Sequence, residues 1–129
     1  MWEDVLQLDK ACREKFITEQ DFPELAEHGL RMGGASVLQG EYVVGRRDPD
    51  IHTLVFGVSG QGKAAIPGAT ECIIKPGDCL FLPARKPFQF EIDSAEWRTC
   101  WLLLPNIQRW AFLHERTAGV SASASCWSL

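Results

Sequence analysis

The feature that most constrains this chain is the punctuation between residues 51 and 104. Two Pro-Gly pairs, Pro67-Gly68 and Pro76-Gly77, and the stretch Ser59-Gly60-Gln61-Gly62 separate short runs of β-branched and aromatic residues. Proline presets the first dihedral of a turn and glycine supplies the positive φ of type II, so each pair stops one strand and starts another. The runs between the stops are 51–58, 63–66, 71–75, 79–83, 88–92 and 97–104. Several short strands at near-regular spacing with such turns predict an all-β barrel or sandwich.

The totals narrow the class. A chain of 129 residues is one ordinary domain, able to bury roughly two thirds of the surface its unfolded form exposes. With 46% hydrophobic and 23% charged residues it reads as globular. No apolar run approaches the length of about 20 residues that a membrane helix needs. The start, Met1-Trp2-Glu3-Asp4, is acidic where an export signal is basic, so a cytoplasmic location is expected. The five cysteines (Cys12, Cys72, Cys79, Cys100, Cys126) are odd in number and lack a C-x-x-C spacing. That pattern fits reduced thiols better than a disulfide framework or a zinc site. The net charge is −4, whereas a domain that grips phosphates carries a basic face. Arg46-Arg47, in a Gly/Asp/Pro loop, is the nearest approach to one, so no direct contact with nucleic acid is expected of this chain.

The flanks look helical. Trp2, Val5, Leu8, Cys12 and Phe16 fall at spacings that fit one helical face, which predicts an amphipathic helix lying on the barrel, or an arm that closes a pocket. Asp21-Phe22-Pro23-Glu24 starts a turn or two of helix, closed by Gly29. Two glycine-rich segments, 30–38 and 41–45, read as edge-forming strands, followed by a loop over 45–50. Pro105 can open a C-terminal helix running to about Glu115, with Ile107, Trp110 and Leu113 or His114 on one face. The Ser/Ala-rich remainder predicts one domain over 1–116 and a flexible tail over 117–129.

Strand parity then defines an interior. If Phe88 points inward, so do Phe90 and Ile92; if Trp101 does, so do Trp97, Thr99 and Leu103. Metal chemistry in such a barrel needs clustered imidazoles and a carboxylate. His28, His52 and His114 are scattered, so neither a metal nor any other cofactor is expected. Glu71, Asp78 and Glu91 fall at outward or turn positions, and no G-x-S-x-G elbow is present, so no catalytic residue is assigned. Gly57 to Lys63 lacks the spacing of a phosphate loop and reads as a hairpin turn. Recognition remains: a pocket in which Trp101 stacks on a small molecule, with Thr99, Gln89 and His52 supplying orienting hydrogen bonds. The alternative is that the aromatic rings simply fill the barrel.

Gly60-Gln61-Gly62, Lys75-Pro76-Gly77-Asp78-Cys79-Leu80-Phe81-Leu82-Pro83, Pro87-Phe88 and Glu96-Trp97-Arg98-Thr99-Cys100-Trp101-Leu102 resemble the cupin sensor domain of AraC-type transcription regulators, in order and spacing, over about residues 42–115. The resemblance implies a cupin-type (double-stranded β-helix, jelly-roll) barrel, here with an N-terminal and a C-terminal helix. It implies a homodimer that binds a small-molecule effector and normally precedes a DNA-binding domain. Trp101 matches the family tryptophan that stacks on sugar. Thr99 and Phe90 stand at pocket positions that are more polar in the family, and Arg46 or Arg47 falls near an arginine that contacts the ligand. Phe88 and Leu54 stand where metal-binding cupins carry histidines. The expected ligand-binding set is therefore Trp101, Thr99, Phe90, Phe88, His52 and Arg46. The alternative function is a stand-alone small cupin enzyme, an isomerase or oxygenase.

Overall fold

Gly68 and Gly77 adopt φ of +87° and +90°, the left-handed backbone that the two Pro-Gly pairs were expected to form. Around them the computed structural model describes residues 2–115 and 118–122. The strands are β1 (Val5–Leu8), β2 (Arg13–Thr18), β3 (Met32–Gln39), β4 (Tyr42–Arg46), β5 (Ile51–Ser59), β6 (Gly62–Ile66), β7 (Ala69–Ile74), β8 (Asp78–Leu82), β9 (Phe88–Ile92), β10 (Glu96–Pro105) and β11 (Gly119–Ala122). They form two antiparallel sheets, one five-stranded in the order β1-β4-β9-β6-β7 and one six-stranded in the order β11-β8-β5-β10-β3-β2.

From β3 to β10 every connection crosses between the sheets except the β6–β7 hairpin at Pro67-Gly68. The two sheets are thereby laced into the expected all-β jelly-roll barrel. Ser59 to Gly62, read from sequence as a hairpin, instead carries the chain from the six-stranded sheet to the five-stranded one. A local turn signal marks the corner but not the strand that receives the chain.

One end of the sandwich is filled. Val55, Ala64, Ile66, Ile74, Leu80 and Leu82 meet Leu38, Phe88, Phe90 and Trp97 in a single buried cluster. Burying a side chain of the Leu or Phe type contributes about 1.5–3 kcal/mol, so this end anchors the fold. The other end, bounded by β1, β2, β3, β4, β5, β9 and β10, stays hollow.

The N-terminal helix expected over 2–16 is not formed. This segment is β1, which pairs with β4 (Val5 opposite Gly45, Leu8 opposite Tyr42), and β2, which pairs with β3 (Arg13 opposite Val37, Thr18 opposite Met32). Consequently β3 and β4 are interior strands rather than edges. Helical spacing of apolar groups gave way to unpaired backbone on two neighbours, since strand formation follows tertiary context more than intrinsic preference. The short helix α1 (Glu24–Glu27) lies where expected, with Gly29 at φ +73° after it. The C-terminal helix is a 3-10 helix, Gln108–Glu115. Gly119–Ala122, placed by sequence in the tail, pairs with β8 instead; Arg116, Thr117 and residues 123–129 lie outside the described residues. No described helix is long and apolar enough to cross a membrane.

Candidate functional site

The hollow end is a cavity of about 710 Å3 between the two sheets, within the size range of small-molecule sites. The six-stranded sheet supplies rows of inward side chains that follow from its register. Thr99 lies opposite Ser36, which lies opposite Glu14; Trp101 lies opposite Gly34, which lies opposite Phe16; Leu103 lies opposite Met32. Thr99, Glu14, Trp101, Leu103 and Met32 all line the cavity.

The Trp101 indole is held from two directions. Its Nε1–H donates to Ser36 Oγ at 2.9 Å, and Phe16 packs against its ring with centroids 6.3 Å apart. Ser36 in turn donates its hydroxyl proton to Glu14 Oε2. One chain of hydrogen bonds thus fixes both an aromatic plane and a carboxylate on the same wall. Ser36 is buried, and its hydroxyl satisfies one partner as acceptor and the other as donor.

The five-stranded sheet supplies Tyr42, Val44 and Arg46 from β4, Phe88 and Phe90 from β9, and Leu6 from β1. The floor is aromatic: Phe90 meets Trp97 edge to face at 6.4 Å, and Phe88 stacks on Phe90 at 5.7 Å. Burial, and after it the nearby Glu14 carboxylate, raise the Tyr42 phenol above its ordinary value, so it is neutral. Arg46 is oriented by its own backbone neighbours, with Nη1 donating to Gly45 O at 2.8 Å and Val5 O at 3.2 Å.

The mouth is the 47–50 loop, from which Asp48, Pro49 and Asp50 face the cavity. Arg85 clamps this loop: its N–H donates to Pro49 O at 2.7 Å, and its guanidinium lies 3.5 Å from Asp48 and 3.9 Å from Asp50. These pairs are more than half exposed, so each contributes at most about 1 kcal/mol.

Of the residues expected to bind ligand, Trp101, Thr99, Phe90, Phe88 and Arg46 all line this cavity. His52 does not. It projects from the opposite face of β5, where Thr53 and Val55 face the cavity, and packs at 5.0 Å against His114 of the 3-10 helix. His52 Nδ1 accepts the Ala84 N–H at 2.9 Å, so its neutral form carries the proton on Nε2, which is buried without a partner. The imidazole therefore positions the 83–86 loop, and through Arg85 the mouth, but touches nothing inside. Burial, then the charge of His114, hold its pKa below the usual value. His114 donates from Nε2 to Asn106 Oδ1 at 2.7 Å, and Asn106 Nδ2 donates to Asp50 at 3.3 Å, which ties the helix to the same mouth.

Sequence reasoning missed Glu14, Ser36 and Tyr42. A strand reading of 13–18 paired to 32–37 would have put Glu14 inward, but helical spacing concealed it. Among the described residues no group of three or more His, Cys, Asp or Glu side chains is placed to hold a metal ion. Phe88 occupies an inward position, where metal-binding cupins were expected to carry histidine.

Two laced antiparallel sheets around a lined interior define a cupin barrel. A variant of the oxalate decarboxylase of Bacillus subtilis shares this fold with a TM-score of 0.60 and 11% identity, over 81% of this chain and 28% of that one. A cupin superfamily protein from Desulfitobacterium hafniense matches with a TM-score of 0.58 and 12% identity, over 78% and 84% of the two chains. The cupin domain of an XRE family transcriptional regulator from Enterobacter cloacae matches at 0.57 and 14%, over 74% and 97%. These likenesses speak for the fold alone. No curated protein matches the sequence. The AraC-like ligand binding domain family matches residues 38–127, and the chain belongs to that family.

Proposed function

We propose that this domain senses a small-molecule effector, which binds in the cavity against Trp101 and biases the arrangement of a transcriptional regulator to which the domain belongs. The observation that carries this reading is the cavity itself: about 710 Å3, floored by aromatic rings, with Trp101 fixed through Ser36. Such a ligand acts through differential affinity for two states of the regulator. On this reading the domain works in the cytoplasm as a homodimer, does not itself touch nucleic acid and catalyses no reaction. Exposed apolar side chains on the outer surface, among them Phe56 and Val58, support self-association.

Titrating the intrinsic tryptophan fluorescence with a metabolite library tests the reading. A saturable ligand is expected for wild type, with affinity falling about ten-fold or more in Trp101→Ala, the equivalent of roughly 1.4 kcal/mol. No saturable ligand for wild type, or undiminished binding by the variant, would sink it. Elemental analysis of the purified protein separates sensing from catalysis, since stoichiometric iron, manganese, nickel or zinc would favour a cupin enzyme.

A further inference from the structure

Two opposite charges in the cavity, Glu14 and Arg46, have no ionic partner among the described residues; Asp4, which accepts only a backbone N–H, is a third lining charge without one. At the mouth, Asp48 and Asp50 are engaged by Arg85, and Asp4 accepts the Arg47 N–H at 2.9 Å. Among the described residues Glu14 accepts only the Ser36 hydroxyl, and Arg46 donates only to the carbonyls of Gly45 and Val5. Neither makes an ion pair among the described residues. They stand on opposite walls, Glu14 on β2 of the six-stranded sheet and Arg46 on β4 of the five-stranded one.

Each is prepared for a ligand group of opposite sign. Arg46 Nη1 donates to two carbonyls, which orients the guanidinium and leaves its Nε and Nη2 edge, the edge that matches a carboxylate with two parallel bonds. Glu14 Oε1 has no hydrogen-bond partner, and Oε2 uses a single lone pair. Trp101, bonded to the same serine, sets an aromatic face beside that carboxylate, the combination that attracts an ammonium. Phe88 and Phe90 offer apolar surface for the rest of a molecule.

We propose that the effector is an amino-acid-like zwitterion, its ammonium at Glu14 beside Trp101, its carboxylate on Arg46 and its apolar body over Phe88 and Phe90. The proposal rests on the effector-sensing reading. A molecule with one charge would desolvate the other side chain without compensation, and a neutral sugar would leave both uncompensated, which opposes binding to the extent that the ligand excludes water from them.

Calorimetric titration of the full chain with matched probes tests this: phenylalanine and leucine, their amides, their N-acetyl derivatives, the ω-amino acid 5-aminovalerate, and the neutral sugars glucose and arabinose. A free amino acid is expected to bind at least about ten-fold more tightly than its amide or N-acetyl form. Glu14→Gln, which keeps the bond from Ser36, is expected to erase the preference over the N-acetyl form. Arg46→Met is expected to erase the preference over the amide; should that variant fold poorly, the wild-type series and Glu14→Gln still decide. Capped forms binding as well as free ones overturn the zwitterion. So does saturable, Trp101-dependent binding of a neutral sugar with none of an amino acid, although the sensing reading then stands. If neither this series nor a metabolite library yields a saturable ligand, both fall.

Discussion

A methyl group at position 34 would stand 2.6 Å from Trp101 Cζ2 and 2.7 Å from the Lys15 carbonyl oxygen. The glycine is therefore what lets the indole lie across β3 and reach Ser36. Gly34→Ala is expected to cost about 1–3 kcal/mol by overpacking, measured by urea denaturation, and to weaken effector binding as the ring is displaced. Unchanged stability together with unchanged Trp101 fluorescence would contradict this role. His52 is a second residue whose neighbourhood sets its behaviour. Because its folded pKa lies below the ordinary 6.5, the unfolded chain takes up a proton before the native one does. The contribution of His52 to stability is therefore constant above about pH 6.5, falls as the pH drops below it, and levels off once the folded imidazole also protonates. Protonation also turns Nδ1 from acceptor into donor and breaks the bond from Ala84. Thermal melts between pH 8 and pH 5 should show this decline in wild type and a flatter profile in His52→Gln; parallel profiles would exclude it. The Glu96 carboxyl, held below its ordinary 4.5 chiefly by the hydrogen bond from Arg98, loses its contribution only in a more acidic window.

At the scale of elements, the N-terminal strands decide what kind of barrel this is. β1 completes the wall beside β4, contributes Asp4, just before it, and Leu6 to the cavity, and supplies the Val5 carbonyl that orients Arg46. Removing residues 1–8 should leave a folded barrel by far-UV circular dichroism while weakening effector binding about ten-fold or more. Such a loss corresponds to one or two net hydrogen bonds. Full affinity in the truncated protein would mean that β1 is no part of the site. The strands β9 and β10 were legible from sequence because alternation on them coincides with burial: Phe88, Phe90, Trp97 and Thr99 face inward and are buried. On β2 the coincidence fails. Glu14 faces the hollow rather than packed core, and Phe16, two residues on, is exposed and lies outside the cavity lining. A strand that turns a carboxylate toward a cavity carries no clean period-two signal, and accidental helical spacing prevails in the reading.

At the scale of the whole molecule, the all-β class, the corners at Pro67-Gly68 and Pro76-Gly77 and the inward faces of β9 and β10 were determined by the sequence itself. Each depends on the chemistry of a few adjacent residues: a fixed proline φ, a positive glycine φ, side chains alternating across a pleat. Tertiary structure alone decided that the N-terminal segment becomes two strands, that Ser59 to Gly62 crosses between sheets, and that His52 faces away from the cavity. It alone joined Trp101 to Ser36, 65 positions apart, and Ser36 to Glu14, 22 apart. The physical reason is that strand partners and register are selected by which backbone groups and side chains meet across long loops. No local preference encodes that choice.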